Sequence, residues 1–313
     1  MDRLLFRRPI IAGLLPLALV AASAARAATT GGAAPEPAPP RSAGCAAPAG
    51  PSGDADLAFV SHGVRRTARV HVAPGAAGRP APLLLVFHGT GSNGRTMERY
   101  SGLVPQLDRG RGIGVFPDAK GPSWNDGDQP NDPDDAGFAG DLLAAVAGRW
   151  CVDERRVSAA GVSNGGGMAA LLACTMGRRL AGIAIVAGGF APLPPCRSRH
   201  PVSVLEIHGR KDPVAPYWGL PAQHGLGAVV PWLASWTRRD ACRLTRPRAR
   251  PIAPGTIRYD WGACLGGTRV EHVAIADGRH QWPGATPPDP GPPPTISAAA
   301  EIWRFLAGLR AAP

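Results

Sequence analysis

Lysine is almost missing from the chain. Only Lys120 and Lys211 occur, so the formal excess of +11 is carried by arginine. A P-loop needs a lysine directly after its glycine-rich turn, in GxxxxGK[ST], and neither lysine stands in one. Close cysteine pairs of the CxxC kind are also absent, which argues against a zinc site or a thioredoxin-like redox centre. The densest basic cluster, Arg238, Arg239, Arg243, Arg246, Arg248 and Arg250, is neither interleaved with stacking aromatics nor placed on a recognition element. No nucleic-acid partner is therefore expected, and the cluster reads as a solvated basic face. Attraction to an acidic polymer or cell surface would be an accessory property of that charge.

Long apolar runs are confined to the first residues. Arg3, Arg7 and Arg8 precede the run Ile10 to Ala22, and Ala24-Ala25-Arg26-Ala27-Ala28 follows it. This is the layout of a secretory signal, with cleavage expected near Ala25 to Ala28. The run is shorter than the roughly 17 residues that a membrane span requires, so no stable insertion is expected after cleavage. Cys45 lies too far downstream to serve as a lipid-attachment cysteine. Removing the signal leaves a net charge of about +8 on the expected secreted chain.

The six cysteines, Cys45, Cys151, Cys174, Cys196, Cys242 and Cys264, all follow the signal. In an oxidising compartment an even number reads as up to three disulfides, and the spacing alone leaves 15 pairings open.

The expected organisation is a signal over 1–28, a flexible Pro/Gly/Ala-rich lead over 29–56 and one catalytic domain over 57–313. Strands are expected at Arg69 to Val72, Leu83 to Phe87, Gly114 to Phe116, Val157 to Val162, Ile183 to Val186, Val202 to Ile207 and Val270 to Ala276. Helices are expected at Phe138 to Trp150, Gly165 to Cys174, Val229 to Ala241 and Ser297 to Leu309. This alternation predicts an α/β fold with a mostly parallel central sheet and helices on both faces.

Gly161-Val162-Ser163-Asn164-Gly165 is the sharpest motif. It stands where a strand runs into a helix, and glycines two residues on either side of the serine permit the sharp turn of a nucleophile elbow. An acid and then a histidine should follow, each beyond a strand. Asp212, in His208-Gly209-Arg210-Lys211-Asp212-Pro213, and His280, in Gly278-Arg279-His280-Gln281-Trp282-Pro283, meet that order. Ser163 is thus the candidate nucleophile, His280 its base and Asp212 the carboxylate that orients the ring. Asp277 and Asp240 are the competing acids. His208, at the end of a buried strand, reads as a satisfied structural histidine.

The backbone N–H groups of Asn164 and Thr90 are candidates for the oxyanion hole, Thr90 in the turn His88-Gly89-Thr90-Gly91. That turn also has readings as a plain turn or a phosphate cradle. A dinucleotide site would need GxGxxG opening a helix. Trp282 and Trp124 are candidate apolar walls for substrate, although each would equally suit packing a loop down.

Taken with their flanks, these motifs resemble the secreted feruloyl esterase and polyhydroxybutyrate-depolymerase-like esterase family. The matching stretches are Cys151 to Val157, the elbow, Leu172-Ala173-Cys174, Pro201 to Asp212, Trp232 to Cys242, Cys264, and Gly278 to Pro283. The resemblance covers roughly 45 to 309 and implies an α/β-hydrolase with no metal or organic cofactor, its triad at Ser163, Asp212 and His280. It further implies disulfides Cys45 to Cys151, Cys174 to Cys196 and Cys242 to Cys264. The family often has two glycines before the histidine; Arg279 replaces the second, where it would shape the rim or favour an anionic substrate.

The expected substrate is a hydroxycinnamic ester on a plant cell-wall polysaccharide fragment, cleaved by a monomer. A short polyester is the second reading and an acetyl ester the third. A non-catalytic binding protein on the same scaffold would be betrayed by a lost triad residue, and none is lost.

Overall fold

The computed structural model describes residues 41–47, 50–127, 133–189, 196, 198–220 and 227–312. The expected signal over 1–28 and the first part of the lead lie outside these residues.

One ten-stranded sheet organises the described chain, in the order β1-β2-β4-β3-β5-β6-β7-β10-β9-β8. Its middle six strands are parallel: β4 (Ile113–Pro117), β3 (Ala81–Phe87), β5 (Val152–Val162), β6 (Gly182–Val186), β7 (Ser203–Gly209) and β10 (Arg269–Ile275). An antiparallel pair flanks each side. These are β1 (Gly53–Ser61) with β2 (Val64–Val72), and β9 (Thr256–Ala263) with β8 (Arg248–Ala253).

Alternation along the central strands feeds two cores. On β3, Leu83, Leu85 and Phe87 face the cluster holding Phe138 and Leu142 of α3 (Asp135–Arg149), Met168 of α4 (Asn164–Thr175) and Leu233 of α5 (Val229–Arg239). Leu84 and Val86 face the opposite cluster. There they meet Met97 of α1 (Gly94–Tyr100), Leu107 of α2 (Val104–Gly110) and Phe305 of α6 (Ala298–Leu306). Burial on both faces explains why β3 reads as a continuous apolar run.

Two expectations change. The lead does not extend to residue 56, because β1 begins at Gly53 and pairs with β2 along its length. Before it, a short 3-10 turn at Ala43–Cys45 is tied to the domain by the Cys45–Cys151 disulfide. The Arg-rich segment after α5 also contains an edge strand, β8, whose Arg248 and Arg250 are exposed. Charge and Pro251 on that edge discourage further strand pairing. The remaining disulfides join Cys174 to Cys196 and Cys242 to Cys264. No helix among the described residues is long and apolar enough to cross a membrane.

Candidate active site

Parallel strands bring their carboxyl ends to one edge, and the site is assembled there. Ser163 directly follows β5 and caps the N-terminus of α4 with φ 56°. Its N–H donates to the Val186 carbonyl at 3.0 Å, fixing the turn against the end of β6. The two elbow glycines are sterically required. A Cβ on Gly161 would lie 2.0 Å from the Gly165 carbonyl oxygen, and one on Gly165 would lie 2.4 Å from that of His88.

Asp212 lies three residues beyond β7 and is buried. Its Oδ1 accepts the N–H groups of Val214 and Ala215, both at 2.8 Å. Its Oδ2 lies 2.8 Å from Nδ1 of His280, which follows the neighbouring strand β10. Burial alone would raise the pKa of Asp212. Hydrogen bonds from His208 and His280 outweigh that and hold the carboxyl well below its usual range.

The competing acids are engaged elsewhere. Asp277 pairs with Lys211 at 2.6 Å in solvent, and Asp240 accepts the Val202 N–H at 3.2 Å. The His280 side chain is 21% exposed, so the ring is open to a substrate. Among the described residues no hydrogen bond joins the Ser163 hydroxyl to that ring, and such a bond need form only in the complex with substrate.

The N–H of Asn164 belongs to the first turn of α4, where backbone donors lack intrahelical acceptors. The turn carrying Thr90 lies alongside: a Cβ on Gly89 would sit 3.5 Å from the Ser163 Cβ. His88 braces this turn as a neutral ring. Its Nε2 accepts the Ala119 N–H at 3.1 Å, which leaves Nδ1 to donate to the Gly89 carbonyl at 2.8 Å. Burial pulls the His88 pKa below its ordinary value.

Gly89-Thr90-Gly91-Ser92-Asn93-Gly94 does carry the GxGxxG spacing and does open α1. The structure uses it for packing. A Cβ on Gly94 would strike the Phe116 carbonyl oxygen at 2.0 Å. Each carboxylate oxygen of Asp118, just after β4, already accepts a hydrogen bond, Oδ1 from the Gly94 N–H at 2.7 Å and Oδ2 from the Thr67 hydroxyl at 2.6 Å.

With this geometry in view, no family model matches the chain. Curated relatives do. A Nocardia uniformis subsp. tsuyamanensis protein named "Putative esterase NocK" is 35% identical over 252 residues, covering 72% of this chain and 73% of that protein. "Probable feruloyl esterase C" of Aspergillus terreus (strain NIH 2624 / FGSC A1156) is 30% identical over 220 residues, covering 69% of this chain and 72% of its own. The chain belongs to the feruloyl-esterase-like family of α/β-hydrolases. It is a carboxylic ester hydrolase.

Feruloyl esterase B of Piromyces equi is a more distant relative of this hydrolase, 27% identical over 221 residues. The match covers 64% of this chain but only 40% of the Piromyces protein. In fold, the hydrolase is similar to the acetyl xylan esterase from Aspergillus awamori, with a TM-score of 0.57 at 11% identity over 80% of this chain and 99% of that one.

The two tryptophans expected at the substrate wall are corrected by the structure of this hydrolase. Trp124 is 2% exposed and Trp282 is 1% exposed. The Trp124 indole N–H donates to the His88 carbonyl at 2.9 Å, and that of Trp282 to the Ser101 carbonyl at 2.9 Å. Each indole packs a loop down and offers no open face. Asn164 adds a side-chain role that sequence reading missed: its Oδ1 accepts the Trp124 N–H at 2.7 Å and its Nδ2 donates to the Trp124 carbonyl at 3.1 Å.

Sequence reading also missed Trp218. It is 70% exposed, follows Asp212 by a short segment and packs edge-on against Tyr217, with ring centroids 4.9 Å apart. Val214, in the same segment, is exposed as well. The available signal was a pair of large aromatics, Tyr217 and Trp218, in the proline-rich segment that follows Asp212.

Proposed function

We propose that this ester hydrolase is a secreted feruloyl esterase that releases hydroxycinnamic acids from plant cell-wall polysaccharide. Ser163 is its nucleophile, His280 its general base and Asp212 the orienting carboxylate. The observation that carries this reading is the 2.8 Å Asp212–His280 contact on the sheet edge that also presents the elbow serine. The names of the feruloyl esterase relatives support the acyl preference.

In the acylation step, Ser163 Oγ attacks the ester carbonyl while His280 takes the hydroxyl proton at Nε2. Asp212 holds Nδ1–H and stabilises the imidazolium that forms. The N–H groups of Asn164 and Thr90 stabilise the oxyanion as charge moves onto the carbonyl oxygen. His280 then returns the proton to the departing alcohol oxygen, and water, deprotonated by the same ring, releases the acid from the acyl-enzyme. With Trp124 and Trp282 buried, the aromatic acid is assigned to the exposed face of Trp218.

Purified protein is assayed on methyl ferulate, on a short hydroxybutyrate oligomer and on methyl acetate, beside Ser163→Ala. Ferulate release is expected to dominate and to fall by about a thousand-fold or more in the variant. Preferred cleavage of the oligomer moves the substrate to polyesters. Unchanged activity in Ser163→Ala removes that serine from the mechanism.

A further inference from the structure

Behind the triad lies a chain of buried ionisable groups that ester hydrolysis does not by itself require. Alternation on β7 directs Glu206 and His208 away from Leu205 and Ile207, whose side chains fill the opposite core. Glu206 is fully buried and its Oε1 lies 2.8 Å from His208 Nδ1. His208 Nε2 lies 2.8 Å from the Ala215 carbonyl oxygen and 3.3 Å from Asp212 Oδ2. On the far side, His272 Nδ1 of β10 stands 2.6 Å from Glu206 Oε2, and its Nε2 stands 2.8 Å from the Tyr217 hydroxyl.

The partners of His208 dictate its protonation. Nδ1 faces a carboxylate, and Nε2 faces a carbonyl and a second carboxylate. These oxygens only accept, so both ring nitrogens must donate. His208 is therefore an imidazolium between two anions in the core. From this geometry we infer that His208 is a positioning residue of the hydrolase: its fixed positive charge orients the Asp212 carboxylate and takes up part of the charge that Asp212 presents to His280.

This inference rests on the assignment of Asp212 as the partner of the catalytic base. Burial alone would depress the His208 pKa, but Glu206, Asp212 and the Ala215 carbonyl outweigh it and push it up to about 10. Tyr217 also packs edge-on against the ring at 5.9 Å between centroids, and the Arg210 guanidinium lies over the Tyr217 ring at 5.6 Å. With Oδ1 of Asp212 held by two backbone N–H groups, Oδ2 is shared between His208 and His280. Without the His208 cation, Asp212 would hold the proton on His280 more tightly.

His208→Gln tests this. The expected result is a fall in kcat of about ten- to a hundred-fold with KM on methyl ferulate little changed, because a support of the acid is lost and no substrate contact is. The acidic limb of the kcat/KM profile is also expected to move to higher pH by about one unit. A loss of packing alone would not move that limb. A folded His208→Gln enzyme with the parental kcat and pH profile overturns the inference.

A second measurement, which leaves His208 in place, serves should that variant fail to fold. In ¹⁵N–¹H spectra of histidine-labelled protein at pH 8.5, one ring that survives both His71→Gln and His272→Gln is expected to remain doubly protonated; His71 is excluded because it bridges two carboxylates, and His272 because it also faces Glu206. If no such ring remains, His208 is not the imidazolium and the inference falls. These spectra do not depend on Ser163, so active Ser163→Ala protein would overturn the triad while leaving the His208 charge measurable.

Discussion

Ser163 occupies a left-handed backbone conformation that costs a non-glycine residue energy, and the bonds around it show how that cost is met. Its N–H is anchored to Val186, and its carbonyl accepts the N–H groups of Gly166 and Gly167 at 2.9 and 3.2 Å. The proposed triad residues stood out in the sequence because each is bound to local context: glycine spacing for Ser163, a strand followed by a turn for Asp212 and His280. Trp124 and Trp282 were not, since a sequence shows the size of a side chain but not the direction in which a loop turns it. Trp218 escaped for the same reason. Trp218→Ala should raise KM for methyl ferulate by about five- to thirty-fold, the worth of one aromatic contact, with activity on methyl acetate unchanged. Equal KM values for the ferulate ester in the two proteins would put the aromatic acid elsewhere.

Among the elements, those with a strong burial pattern were readable. The parallel core strands and the helices that cover them form runs or stripes that a buried environment imposes. The antiparallel margins were less legible. β1 alternates exposed and half-buried positions, with Asp54 and Asp56 on its outer face, and β8 consists largely of exposed residues. Margins of this kind carry little apolar signal because water still covers one side. The turn from His88 to Gly94 depends on contacts that cross the chain. Its shape is held from outside by the Trp124 indole, which also meets the Phe87 ring edge-on at 5.1 Å between centroids. Trp124→Phe keeps most of the packing but leaves the buried His88 carbonyl without its donor. A destabilisation of about 1–3 kcal/mol follows, or a Tm lower by about 2–10 °C. Because the same turn presents Thr90, kcat should fall while KM holds. A variant with lowered Tm but the parental kcat would show that the brace serves folding alone.

For the whole molecule, three buried histidines set how stability responds to pH. His71 joins β1, β2 and α2 through Asp54 at 2.6 Å and Asp108 at 2.9 Å. Burial opposes its charge, but these two carboxylates win and raise its pKa above 6.5. His208, at about 10, is raised further. In the unfolded chain both would release their protons near the ordinary value of about 6.5. Above that pH the folded protein holds more protons than the unfolded one, so stability must fall as pH rises, until each folded pKa is passed. His88 acts in the opposite sense: its pKa is depressed by burial, so its contribution is present above about 6.5 and is lost on acidification. Taken by themselves, these three contributions are jointly largest near pH 6.5. The Tm should drop by a few degrees, at least about 2 °C, between pH 6.5 and 9.5. In His71→Gln that decline should be shallower, since one of the two raised histidines is gone. Calorimetric scans of both proteins across this range decide the matter. A parental Tm that is flat or rising toward pH 9.5 would mean that neither histidine holds its proton in the folded state.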